Sequence, residues 1–376
     1  MTSPTRRALL LGAGRAATAF AALTVSEAIL EQPARAQPAR LVLGTIPINA
    51  LLGAYLGALD VLKEEGLEAE VTTFQSGPAM LQALAAGKLA AADIGLAPTV
   101  IALTRGLPVI APHLASFSTP DRPFERIMVT ANSPIRTLND LEGRKLAYLG
   151  PGTVPDLLLG ALDRRGGVRK AEIELVPMPA ANQPAALAQG LVDAIFAIPP
   201  ADAVAERQQA RTLANASELV AYLGLGNIVV HRDFADSFPD ATRRLFKACI
   251  RLARWIDDNE VAAREQAARS TGLTADLSST VRLPLFSRNG LAVMPNVWHV
   301  YEMLVAAKTI EPHPDPAKLF QERIIEPAHR FVLPAVEEVG VAPDPAVDHM
   351  LRASYPMLKQ PVEDYYADWE RRALGL

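Results

Sequence analysis

An α/β fold built as two lobes is what this chain of 376 residues predicts, on three observations. Apolar runs of strand length alternate with helical periodicity from residue 41 onward. A helix with a polar cap and proline, a closing glycine, a short strand and a proline loop occur twice in the same order. The length suits two domains better than one.

Residues 5–20, TRRALLLGAGRAATAF, admit two readings. Gly12-Ala13-Gly14 followed by Ala17, with Glu31 downstream, has the outline of a dinucleotide-binding turn. A second strand would then have to carry Glu31 to the sheet edge, and the prolines of QPARAQPAR break it. Arg6 and Arg7, the apolar stretch 8–24 and Ala34-Arg35-Ala36 supply in order the charge, the hydrophobic middle and the small-residue cleavage site of an export signal. Residues 1–36 are therefore read as a signal peptide that resembles the twin-arginine type, with an ordinary Sec signal as the alternative. The mature chain would begin at Gln37, and no cysteine stands there to take a lipid anchor.

After the signal, the continuous apolar run 41–43 reads as a parallel strand covered on both faces, and GALDVLKEEG as a helix ending at Gly66. Ser76 and Pro78 open the next helix, Gly87 closes it, and a short strand around Asp93 runs into a loop with Pro98. A crossing strand near Ile127 then starts a fresh strand, turn and helix through LGPGTVPDLLLGAL. The segment NQPAALAQGLVDAIFAIPP repeats the earlier grammar, with Gly190 as the stop and Pro199-Pro200 as the loop. Two units inside one domain would give the same echo, but the crossing between them favours two lobes. The one cysteine, Cys249, shares a helical face with apolar neighbours and is expected to be a small buried hydrophobe rather than a nucleophile.

Without the four arginines (Arg6, Arg7, Arg15, Arg35) and two glutamates (Glu27, Glu31) of the signal, 33 basic and 39 acidic groups remain, a net charge of −6. A mildly acidic chain without basic runs argues against nucleic acid or an anionic membrane as partner. No later stretch reaches the roughly 18 uninterrupted apolar residues of a spanning helix. His113, His231, His299, His313, His329 and His349 show no metal-ligand spacing, and are expected as surface or capping residues. Neither a nucleophile elbow nor a P-loop lysine motif is present, so no catalytic residue, metal or cofactor is expected.

In their order and spacing, FQSGPAMLQALAAGKLAAADIG, LNDLEGRKLAYLGPGT, NQPAALAQGLVDAIFAIPP, the helical segment 231–273 and YEMLVAAKTIEPHPDPAKLF resemble the substrate-binding proteins of ABC importers for nitrate, taurine, aliphatic sulfonates and thiamine precursors. The likeness covers residues 40–328. It implies a two-lobed periplasmic binding protein fold, type II-like, with a hinge and a helical C-terminal extension. Residues 37–128 would form the first part of lobe 1, 129–219 lobe 2, 220–328 the second part of lobe 1 and 329–376 the extension. Hinges are expected near 128–131 and 214–221, with a small-molecule ligand in the cleft between the lobes. The resemblance further implies a soluble periplasmic monomer that serves an ABC permease and its ATPase. Relatives that synthesise the thiamine pyrimidine carry a cysteine-rich motif, so a single cysteine speaks against that enzyme. An exported enzyme of the same fold and a ligand sensor stand as alternatives.

Ligands of open α/β sheets bind beyond the carboxyl ends of the strands, where the first turns of helices hold N–H groups free for an oxyanion. Five helix starts qualify: Ser76-Gly77-Pro78, Pro98-Thr99, Gly152-Thr153, Asn182-Gln183-Pro184 and Pro199-Pro200. The loop after the first strand adds Pro47 and Ile48 as apolar wall and Asn49 as an amide. The candidate ligand-binding residues are therefore Pro47, Ile48, Asn49, Ser76, Gly77, Pro98, Thr99, Gly152, Thr153 and Pro199. The hydroxyls of Ser76 and Thr153 have a second use, as caps of their own helices. Arg122 and Arg126 are expected to pair locally at the surface with Asp121 and Glu125. The ligand expected is small, with an apolar body and an oxyanion or carbonyl, a sulfonate or carboxylate ahead of bare nitrate.

Overall fold

The computed structural model describes residues 40–344 except 165 and 291, together with Val347; the expected signal, 1–36, and most of the expected extension past 344 lie outside the described residues. Among the described residues eleven strands form two sheets. In chain order they are β1 (Leu41–Thr45), β2 (Ala69–Thr73), β3 (Ala91–Gly95), β4 (Val109–Ser118), β5 (Arg126–Thr130), β6 (Lys145–Tyr148), β7 (Glu174–Pro177), β8 (Ala194–Ala197), β9 (Ala210–Asn215), β10 (Leu223–His231) and β11 (Leu285–Phe286). The first sheet has the order β11-β4-β10-β3-β1-β2 and the second β7-β6-β8-β5-β9. In each, a parallel set (β1, β2 and β3; β6, β7 and β8) is joined by one antiparallel strand, β10 or β5, which pairs antiparallel on its other side with β4 or β9.

Strands covered on both faces need apolar side chains at every position. Along β3 and β10, alternate residues serve opposite faces of the first sheet. Ala91, Ile228 and Val230 join Leu245, Phe246 and Ile250 of the helix Pro239–Asp258, while Ala92, Ile94 and Val229 join Met80, Val100 and Val300 of the helices on the other face. The second face is continuous with Ile127, Val129, Leu146 and Phe196 of the second sheet, so one apolar cluster runs from lobe to lobe. Phe331, Val332, Ala335 and Val336, in the described part of the C-terminal segment, join the core around Leu245 and Phe246 of lobe 1. Cys249 is buried there too, and burial pushes its thiol well above the usual range, as suits an inert core residue.

The chain passes between sheets twice, through 119–125 and 216–222. The expected hinge at 128–131 falls largely inside β5, whose residues Arg126 to Val129 pair with β8; the free segment lies just ahead of it. Ala216 N–H donates to the Glu125 carbonyl at 2.9 Å and ties the two crossings side by side. The local surface pairing expected of Arg126 does not form. Its guanidinium is 2 % exposed, bonded to Asp202 at 2.5 Å, to Glu206 and to the Thr212 hydroxyl at 3.1 Å, while Arg122 pairs with Glu260 at 2.6 Å. The crossing brings the charge runs of the sequence against helices distant in the chain, which local spacing does not reveal. Among the described residues no helix is long and apolar enough to cross a membrane.

Candidate functional site

Where β1 ends, the chain must turn away from the sheet, and the loop 46–51 does so under restraint from four directions. Asn49 is fully buried; its amide donates to the Arg282 carbonyl and its own carbonyl accepts from Tyr55 Oη at 2.7 Å. Ser116 Oγ donates to the Ala50 carbonyl at 2.5 Å. Asp93, at the heart of β3, accepts the Gly53 N–H at 2.7 Å and so caps the short helix Leu52–Ala58 that follows. Burial pushes the Asp93 carboxyl up to about 7, against the pull of the Gly53 and Leu52 N–H groups. Gly226 of β10 is required beneath this loop, because a Cβ there would come within 2.9 Å of the Ala50 carbonyl oxygen.

These restraints turn Ile46, Ile48 and Leu51 into a cleft between the lobes. Gly77, Gly95 and Pro98, at the starts of the helices Gly77–Ala85 and Leu96–Thr104, complete the lobe 1 wall with Leu225. Leu149, Thr153, Val154, Pro155 and Ile198 form the opposing wall, and Glu125 enters from the first crossing. The cleft holds about 480 Å³ with its open mouth included. The lobes meet at its edge: a Cβ on Gly95 would lie 3.2 Å from Val154 Cγ2, and one on Gly152 3.4 Å from Ile101 Cδ1.

Apart from Glu125 and Thr153, the described lining is apolar or glycine. Thr153 Oγ1 donates to the Gly150 carbonyl at 2.6 Å and accepts the Asp156 N–H at 3.5 Å, so its hydroxyl caps the helix Val154–Gly160. Glu125 is 3 % exposed and its Oε2 is buried without a hydrogen-bond partner. Burial pushes that carboxyl up from 4.5 to about 8. Among the described residues no group of His, Cys, Asp or Glu is placed to hold a metal ion.

Of the ten candidates, the structure brings Ile48, Gly77, Pro98 and Thr153 to the cleft. Pro47 is exposed, and Asn49 faces the core as described. Ser76 caps its own helix by accepting the Ala79 N–H at 3.5 Å. Thr99 turns inward, donating to the Gly95 carbonyl at 2.9 Å and accepting from Asn227 Nδ2 at 3.1 Å. Gly152 gives its N–H to Asp156 at 3.0 Å, and the neighbour of Pro199, Ile198, is the residue on the wall. Sequence reasoning missed Glu125 because DRPFER has the look of a solvated charge run. The signal available was its place immediately before a strand that leaves one lobe for the other.

The sequence pattern of the NMT1-like family matches residues 34–271. An Escherichia coli (strain K12) relative named for binding aliphatic sulfonates is 35% identical over 121 residues, 32% of this chain and 37% of that protein. The taurine-binding periplasmic protein of the same organism is 26% identical over 191 residues, 50% of this chain and 57% of that protein. The matched regions thus span well under two thirds of either relative. The crystal structure of the periplasmic aliphatic sulphonate binding protein SsuA from Escherichia coli superposes with a TM-score of 0.62 at 21% identity, over 77% of this chain and 92% of that one. At that identity the likeness shows the fold, which is two-lobed.

Proposed function

This chain belongs to the NMT1-like family, and from that premise we propose that it is an exported solute-binding protein that closes its two lobes on a small organic molecule. The observation that carries this reading is the cleft itself, apolar on both walls and set between two sheets, with the chain passing from one to the other, among the described residues, through the paired crossings 119–125 and 216–222. A concave apolar site with a few convergent polar groups is the usual make-up of a small-molecule site. The relatives named for sulfonates and taurine support an oxyanion-bearing ligand with a carbon body, a sulfonate or carboxylate. In this reading lobe 1 comprises residues 40–118 and 223–328, lobe 2 the strands and helices from 126 to 215, and the described part of the segment from 329 packs on lobe 1. The protein acts as a monomer in the periplasm, without a lipid anchor, and delivers its ligand to an ABC permease and its ATPase rather than transforming it.

A thermal-shift screen of the mature chain against alkyl sulfonates, aromatic and aliphatic carboxylates, pyrimidines and nitrate tests this. Stabilisation by organic anions, with the compound recovered unaltered after long incubation, is expected. Steady conversion of a tight-binding compound would make the protein an enzyme, and stabilisation by nitrate alone would discount the apolar walls.

A further inference from the structure

One polar group of the cleft has no role in that reading, the carboxyl of Glu125. Its main chain is fixed by the bond from Ala216 N–H, and its side chain lines the cleft with Oε2 unpartnered. The cations around the crossing are committed elsewhere. Arg122 is on Glu260, Arg126 on Asp202 and Glu206, and Arg282 donates from Nη1 to the Pro123 carbonyl at 3.0 Å with its Nε 3.8 Å from Asp202. No other charged side chain is among the described residues lining the cleft. The helix starts at Gly77 and Gly95 bring partial positive charge to it instead.

A carboxylate shut in an apolar site without a cation, with only its own backbone N–H to oppose the burial, takes up a proton rather than bear the loss of hydration. The neutral acid then has an O–H to give and needs an acceptor. An ammonium group would have to settle between helix starts of like sign, whereas an oxyanion meets both the helix starts and the O–H favourably. We propose that Glu125 is held in the cleft as the neutral acid and donates a hydrogen bond to an oxyanion or carbonyl oxygen of the ligand, which couples capture to one proton. This rests on the cleft being the ligand site. Burial holds the group protonated up to about pH 8, and a bound anion beside it holds it so to higher pH. Capture at neutral pH therefore moves no proton, and capture above that range draws one from solvent.

The test uses three probes with one carbon skeleton, hexane-1-sulfonate, hexanoate and hexylamine, titrated into the mature chain by calorimetry at about pH 6.5 and about pH 9.5. The anions should bind, and their affinity should fall roughly tenfold or more at the higher pH, with a heat that depends on the buffer and reports proton uptake. Glu125→Gln keeps a donor but cannot titrate, so its affinity for the anions should stay level over the same range. Hexylamine should give no heat. Denaturation without ligand supplies a second reading: a folded-state pKa raised from 4.5 to about 8 gives stability that is full below pH 4.5 and is lost as pH rises through 8. Wild type should lose stability relative to Glu125→Gln across that window. Anion binding with the same pH slope in both proteins, or amine binding that tightens with pH and disappears in the variant, would overturn the proposal while leaving the cleft as the ligand site. Failure of all three probes to bind at millimolar concentration would overturn the reading beneath it as well.

Discussion

Thr153 illustrates how one hydroxyl can serve either a ligand or a fold. Its 2.6 Å bond to the Gly150 carbonyl and its bond from the Asp156 N–H use the group locally, although its side chain reaches the cleft wall. Thr153→Val keeps the shape and deletes the hydroxyl, so the expected outcome is a loss of about 1 kcal/mol of stability, as for other helix caps, with ligand affinity unchanged. Urea unfolding beside calorimetry checks this, and a fall in affinity without a fall in stability would return Thr153 to the binding site. Such single-residue roles were only partly legible in the sequence. A Ser or Thr before a proline announces a helix start, which Ser76 and Thr153 are. Whether the hydroxyl then points to ligand or to its own helix depends on its χ1 rotamer, which the spacing of the sequence does not encode. Glu125 was misread, and Asn49 was placed in the cleft when the structure uses it as a strut. The histidines divide: His231 accepts the Asp233 N–H and His313 the Asp315 N–H as local caps, but His113 is buried against Phe246 with its imidazole held down to about 3 by burial.

At the scale of elements the sequence was more informative, because helix ends are chemically marked. The helix Gly77–Ala85 runs between its Ser76 cap and the turn at Gly87, where φ is +68°, and the turn after the helix Gln183–Ala188 falls at Gly190 with the same φ. What escaped was how elements are tied across the crossing. Arg126, the first residue of β5, clamps the helix Ala201–Arg207 through Asp202 and Glu206, and Asp202 is fully buried. Deleting one partner of a buried pair leaves the other charge uncompensated, at a cost of about 3–5 kcal/mol. Arg126→Met should therefore lower unfolding stability by that order, moderated by Arg282 at 3.8 Å from Asp202. Adding Asp202→Asn should restore much of the loss. Equal stability of wild type and Arg126→Met in denaturant melts would show that the ion pair is not what locks β5 to its helix.

For the whole molecule, the two-lobed plan was legible because the same helix, glycine, strand and proline-loop pattern occurs twice with a crossing strand between. The position of the hinge was not, since a strand at a lobe boundary and a crossing segment look alike in composition. The crossings 119–125 and 216–222 are tied side by side by the Ala216–Glu125 bond, so rotation about them would separate the walls where Gly95 meets Val154 and Gly152 meets Ile101. Ligand that touches both walls favours the closed arrangement by its differential affinity for it. Solution scattering should accordingly show a smaller radius at saturating ligand than without it. Gly95 offers a sharper test because its backbone, with φ at −64°, accepts any side chain, and a Cβ there would lie at ordinary contact, 3.5 Å, from Pro98 and the Leu225 carbonyl of its own lobe but at a tighter 3.2 Å from Val154 across the cleft. Gly95→Leu should act as a wedge. In the open state its added side chain has no Val154 to meet, so unfolding stability should hold, whereas closure is obstructed and apparent affinity falls by roughly tenfold or more as the competent population shrinks. Scattering of the variant should then stay at the open radius even with ligand in excess. If Gly95→Leu closes and binds like wild type, the edge contact is not what completes the cleft, and a scattering profile that never changes with ligand in either protein would mean a rigid site and no hinge.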